Sequence, residues 1–165
     1  MNCNSDYEFE QGNAMASITE NIEAGACNLV DRSLIMLKDK FPCKVTFFSQ
    51  CKTGKHGAGK ATIIASDIFT DSTYRECFPS TKTVQRPIVT KVEYTCDYVN
   101  DDGFLHLITP ELEEKEDVKL PEEDHLRDVA KRIVEICNAG TKECLVTIQK
   151  WGMREQVCAV REAAI

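Results

Sequence analysis

Residues 50–61 read QCKTGKHGAGKA, and from Gly54 to Lys60 the spacing is G-x-x-x-x-G-K. The reading of this stretch decides the fold. A phosphate-binding loop leaves a strand, opens a helix whose N-terminus helps hold the phosphates, and follows its lysine with a magnesium-binding Ser or Thr. Here Ala61 follows Lys60, and the chain continues as ATIIASDIF (61–69), which is rich in β-branched residues and suits a strand. The sequence also lacks a hydrophobic strand ending in an acidic metal ligand within a βαβ array. A nucleotide-hydrolysing enzyme is therefore set aside, and the stretch is read as the tip of a β-hairpin.

The same strand character extends on both sides. SLIML (33–37) and CKVTFF (43–48) precede the loop, and TYRECF (73–78) follows it. Lys38-Asp39-Lys40 and Asp71-Ser72 supply turns. A run of short strands predicts a small barrel. After Pro87 the pattern resumes with VEYTCDYV (92–99), an Asn100-Asp101-Asp102-Gly103 turn and FLHLIT (104–109). EDVKL (116–120) reads as a further strand. Pro121 and the acids Glu122, Glu123 and Asp124 then mark a helix start. Leu126, Val129, Ala130, Ile133, Val134 and Cys137 recur at helical spacing, and Gly140 lies just past the end. CLVTIQKW (144–151) returns to strand. Met153, Val157, Val160 and Ala164 predict a short C-terminal helix. Four strands with one inserted helix is an order that OB barrels also show. The expected organisation is a disordered tail over 1–17, a barrel domain over 18–89 and a second domain over 90–165.

The net charge of −7 conceals an uneven distribution. Residues 18–89 carry ten Lys+Arg against seven Asp+Glu, while residues 90–165 carry ten against seventeen. A basic segment lies between two acidic ones, and for a polyanionic partner the local field matters more than the total. No apolar run approaches the roughly 20 residues that a membrane helix needs, so no membrane partner is expected. The polar, acidic N-terminus does not resemble a signal peptide, and the expected localisation is cytoplasmic. The nine cysteines include no C-x-x-C pair, so they read as reduced thiols rather than as a zinc knuckle or a disulfide framework.

Within the loop, Lys52, Lys55, His56 and Lys60 stand together with no carboxylate, and Gly54, Gly57 and Gly59 let a narrow tip approach another surface closely. The bland reading is a solvated hairpin. A more specific one is an unmodified RNA-binding module, which uses this basic loop and an OB domain for phosphate contacts.

Lys52-Thr53-Gly54-Lys55-His56-Gly57 resembles the signature loop of the eukaryotic translation initiation factor 5A family, a relative of bacterial elongation factor P. PCKV (42–45), DIFT (67–70), FPST (78–81), DGFLHL (102–107) and LPEEDHL (120–126) are similar to that family's landmarks in the same order. The resemblance spans roughly residues 22–160 and is that of a divergent member. It implies a mainly β protein: an N-terminal SH3-like barrel followed by a C-terminal OB-fold barrel. It implies that Lys55 is the hypusine site, modified from spermidine by deoxyhypusine synthase and then by deoxyhypusine hydroxylase. Lys52, Thr53, Gly54, His56, Gly57 and Lys60 would be the surrounding loop contacts to ribosome and tRNA. The implied partners are the ribosome, its rRNA and the P-site tRNA, with a homodimer as the assembly to test for. The implied role is promotion of peptide-bond formation at stalling sequences such as proline runs, and of termination, by a factor that is not an enzyme and holds no cofactor beyond the modification. This chain has Ala58-Gly59 where the family usually has His-Ala, which removes a hydrogen-bonding side chain and adds flexibility to the loop.

Other polar residues have plainer readings. His106 falls in an apolar strand and reads as structural, and His125 in a first helical turn reads as solvated. Glu111, Glu113, Glu114, Glu116 and Asp117 lack metal-loop spacing and read as a solvated loop. Trp151 near a strand end reads as packing. Lys44, Lys82 and Arg86 either extend a basic RNA-facing surface or are ordinary surface charges.

Overall fold

The structure is a computed structural model and describes residues 18–26, 33–51 and 59–165. It divides into two compact units, Met1–Ile88 and Val89–Ile165. In the first unit β2 (Leu34–Leu37), β3 (Phe41–Cys51), β4 (Lys60–Asp67) and β5 (Thr73–Pro79) form an antiparallel sheet in that order. β1 (Thr19–Glu23) pairs with β6 (Thr83–Pro87) as a separate two-stranded ribbon. β4 shows why the sheet folds as it does. Along KATIIASD every second residue is buried, and Ala61, Ile63 and Ala65 are fully enclosed, the period-two signature of a strand with one wet face. They pack with Ala24, Ile35, Leu37, Cys43, Phe78 and Val84 into the core of an SH3-like barrel.

Turn chemistry sets the hairpins. Between β2 and β3, Lys38 and Asp39 both adopt left-handed backbone (φ 56° and 54°). After β4 the buried Asp67 carboxylate accepts the amide hydrogens of Phe69 and Thr70 at 2.8 and 3.2 Å, an Asx turn that satisfies donors buried inside the bend.

The second unit is an OB-fold sheet in the order β11 (Arg154–Ala163), β10 (Glu143–Trp151), β7 (Thr90–Val99), β8 (Leu105–Ile108), β9 (Glu114–Lys115). Helix α1 (Arg127–Ala139) follows a 3-10 turn at Asp124–Leu126 and packs on β7, β10 and β11. Its Ile133 and Ile136 join Cys96, Leu105, Leu107, Val118, Cys144, Val146, Ile148 and Val157 in the core. Gly140 closes the helix at φ 64°, donating its N–H to the Ile136 carbonyl at 3.3 Å.

Two expected elements are corrected. The short C-terminal helix is instead β11, which pairs along its length with β10. Its register slips at one point: Thr147 faces Ala159 while Ile148 faces Val157, leaving Cys158 as the extra residue of a bulge. A bulge shifts the in–out alternation by one. Val157 and Val160, three apart, thereby both turn toward the core, and a three-residue spacing imitates a helix. The further strand expected over 116–120 lies earlier, at β9, where Leu107 and Ile108 face Lys115 and Glu114. Beyond it only an isolated bridge joins Phe104 to Lys119, as Val118 turns into the core. β1 and β6 are an addition: of their ten residues only Val84 and Pro87 are buried, so they carry little apolar signal.

Candidate functional site: the root of the β3–β4 loop

Lys52, Thr53, Gly54, Lys55, His56 and Gly57 lie outside the described residues, and of the predicted site residues the structure describes Lys60. What it does describe is the frame that carries the loop. β3 and β4 stay paired up to Cys51 opposite Lys60, so residues 52–59 form the whole connection between paired strands. Next inward, Gln50 faces the fully buried Ala61. The root is thus locked to the barrel core one residue from where the loop begins.

The turn between β5 and β6 braces this root from the side. Lys60 pairs with Pro79, and the Ser80 N–H donates to the Gly59 carbonyl at 2.7 Å. Ser80 in turn accepts at its carbonyl from Gly25 N–H at 2.8 Å, and Lys82 accepts from Ala24 N–H at 2.9 Å. The contact at Gly59 is close enough that a β-carbon there would fall 2.8 Å from Ser80 Oγ. At Gly59 itself the missing side chain makes room for Ser80, while Ala58 lies outside the described residues. Ser80 Oγ is itself buried with no hydrogen-bond partner among the described residues. Sequence reasoning singled out neither Ser80 nor its contact. The signal available was its place in FPST, one of the landmarks quoted for the family resemblance.

The surface beside the root is cationic. Lys60 at the root and Arg75 on β5 are exposed with no carboxylate within salt-bridge distance among the described residues; the same holds for Lys44, which lies at the far end of the hairpin opposite Ser66. Cys77 on β5 registers this field. Its exposed thiol is held below the ordinary value, first by a hydrogen bond with Thr62 (3.4 Å) and further by the Lys60 and Arg75 charges. Of the other basic residues weighed from sequence, Arg86 pairs with Glu20 at 3.5 Å, and Lys82 Nζ lies 5.4 Å from the Phe78 ring centroid. The arrangement suits a phosphate-rich partner, because unpaired surface cations gain by displacing its counterions.

Comparison with known proteins agrees with this picture on both sides of residue 88. Residues 17–82 match the family described as "Translation initiation factor 5A-like, N-terminal", and residues 88–161 match "Eukaryotic elongation factor 5A hypusine, DNA-binding OB fold". The chain belongs to the eukaryotic translation initiation factor 5A family. It is 38% identical over 154 residues to the initiation factor 5A of Dictyostelium discoideum, covering 93% of this chain and 91% of that one. It is 34% identical over 157 residues to factor 5A-3 of Arabidopsis thaliana, covering 95% of each. Among solved structures, a translation initiation factor 5A family protein from Naegleria fowleri superposes with a TM-score of 0.78 at 29% identity, covering 87% of this chain and 99% of that one. The family is one of translation factors, and its partners lie in the translation machinery.

The remaining polar residues take structural places in the second unit. His106 stacks on Tyr98 (ring centroids 4.7 Å apart) with its Nδ1 3.2 Å from Asp97 Oδ2. Glu114 and Glu116 approach its Nε2 at 3.8 and 3.6 Å, and Lys115 binds both Asp117 and Glu155. Part of the acidic stretch is thus organised around His106 and Lys115. Among the described residues no group of three or more His, Cys, Asp or Glu side chains is arranged to hold a metal ion, and no helix is long and apolar enough to cross a membrane.

Proposed function

We propose that this chain is a hypusine-dependent translation factor whose working group is Lys55. Deoxyhypusine synthase would transfer an aminobutyl group from spermidine to Lys55, and deoxyhypusine hydroxylase would complete the side chain. The lengthened cationic arm would enter the ribosome beside the acceptor end of the P-site tRNA and steady it by position and charge. Both routes accelerate a reaction without chemistry by the factor itself. The outcome would be peptide-bond formation at stalling sequences such as proline runs, and support of termination. Lys52, Thr53, Gly54, His56, Gly57 and Lys60 would line the contact with tRNA and rRNA. The factor would act in the cytoplasm, with no cofactor beyond the modification, and a homodimer is the assembly to look for.

The observation that carries this reading is the braced root: a loop containing KTGKHG leaves the barrel between paired Cys51 and Lys60, pinned by Ser80 to Gly59, in a surface of unpaired cations. A rigid base lets a long arm reach a defined point. The test is the mass of the Lys55 peptide from protein isolated from its own organism. An aminohydroxybutyl addition is expected, and an aminobutyl addition alone would mean that only the first transfer occurs. Unmodified lysine throughout would overturn the proposal in favour of an unmodified RNA-binding module. Lys55→Arg gives an independent check, since arginine keeps the charge but cannot take the modification. It should abolish the stimulation of proline-rich synthesis, and wild-type stimulation by this variant would sink the reading.

A further inference from the structure

The outer face of the barrel sheet carries an aromatic ring that simple alternation would bury. Cys43 and Val45 turn toward the core of the first unit, and an unbroken period of two would send Phe47 after them. A bulge intervenes. The register of β3 on β4 shifts between Val45 and Phe47. Thr46, the extra residue, holds the shift by donating its hydroxyl hydrogen to the Ile64 carbonyl at 3.1 Å. The in–out pattern therefore reverses. Phe48 packs against the core opposite the buried Ile63, while Phe47 turns outward opposite Ile64 and is 50% exposed. Bulges re-aim side chains in this way beside functional surfaces.

Phe47 stands in the middle of a cationic face. Ile64 faces Arg75 on β5, so Phe47, Ile64 and Arg75 form one row across three strands. Toward the loop the next row is small and neutral, with Thr62 hydrogen-bonded to Cys77 at 3.4 Å. The row after that holds Lys60, about 13 Å along β4 from Ile64. In the other direction Lys44 lies opposite Ser66, about 7 Å along the strand from the Phe47 row. Lys44, Lys60 and Arg75 are all exposed, and none has a carboxylate within salt-bridge distance among the described residues. An exposed ring with cations beside it and at either end is the composition of a surface that stacks bases and tracks a phosphate backbone.

We propose that this sheet face is a platform for single-stranded RNA, on which an unpaired base stacks on Phe47 while Arg75, Lys44 and Lys60 take the flanking phosphates. The order cation, ring, cation along the sheet matches the order phosphate, base, phosphate of an unpaired strand. A duplex offers no such match, because its bases are already stacked on one another and a flat sheet face does not enter its grooves. A second copy of this chain is a poor occupant, since it would set like charges against each other. RNA rather than DNA follows from the family's place in the translation machinery. The platform adds a contact surface outside the Lys55 loop and does not depend on modification of that lysine.

The test uses the full chain expressed without deoxyhypusine synthase. Lys55 is then unmodified, and a failure here leaves the Lys55 reading to its own mass measurement. The probe is a fluorescein-labelled uridine octamer, followed by anisotropy at low salt, with a blunt RNA duplex for comparison. Phe47→Ser, at an exposed position, should keep the parent's Tm, weaken octamer binding about tenfold and leave duplex binding unchanged. Phe47→Trp should bind the octamer at least as well as the parent, and Arg75→Ala should lower the salt slope by about one. With the parent chain, an octamer carrying 5-iodouridine should cross-link on irradiation to Phe47, within tryptic peptide 45–52. Absence of octamer binding by the parent overturns the proposal. So does parent affinity in folded Phe47→Ser, an equal loss for octamer and duplex, or cross-links confined to other peptides.

Discussion

The two units handle charge in opposite ways. In the second, most cations are paired in place. Arg161 holds Glu93 through two hydrogen bonds at 2.7 and 2.8 Å, Lys115 sits between Asp117 and Glu155, and Glu162 takes both Arg132 and Lys142. In the first, Arg86 has Glu20, but Lys44, Lys60 and Arg75 stand exposed without a carboxylate among the described residues. Most cations of the second unit are paired on its own surface, whereas Lys60 at the loop root is left for a partner. The acidic total of the chain therefore says little about what the barrel meets.

Substitutions can break or sharpen this contrast. Ile133→Ala empties part of the OB core, where Ile133 is fully buried, and should cost about 2–5 kcal/mol in denaturant unfolding. A loss below about 0.5 kcal/mol would mean the helix is not anchored as described. Gly59→Ala forces Ser80 Oγ to move, and the expected loss is about 1–3 kcal/mol. Ser80→Ala removes a buried hydroxyl without a described partner and should be neutral or slightly stabilising. The double variant should recover most of the loss, whereas additive losses would place the strain elsewhere. Lys60→Ala should leave stability within about 0.5 kcal/mol, yet lower the salt slope of single-stranded RNA binding by roughly one. Unchanged binding would remove Lys60 from the interface.

The smallest effect concerns pH. The Glu93 carboxylate is held below its ordinary value of 4.5, chiefly by the hydrogen bonds from Arg161. A depressed carboxylate contributes stability above its unfolded value, and that contribution is lost as pH falls through the folded one. Glu93→Gln should therefore lower Tm slightly at pH 7 and converge with the parent once pH has fallen through the folded value, where the carboxylate is protonated in both states. A constant offset down to that pH would mean that the pair does not matter. Both groups are exposed, so salt should shrink the effect.

Much of this was legible before the structure. The β character of 61–69 ruled out a phosphate-binding helix, and β4 bears it out with its strict alternation. The inserted helix was legible from Leu126 to Cys137 because one apolar face at helical spacing survives in the linear sequence. The final helix was misread because a bulge at Cys158 put Val157 and Val160 on one face of a strand, and no local pattern reports a bulge made by the partner's register.

By itself the sequence determined the strand and helix periods, the basic segment between acidic ones, and the order of motifs that marks the family. These are properties of neighbours along the chain. Only the tertiary structure decided that Ser80 braces Gly59, that Glu114 and Glu116 approach His106, and that Phe47 turns outward opposite Ile64. Each depends on segments brought together across loops and strand pairs. Local periodicity carries no record of such distances, because folding supplies them.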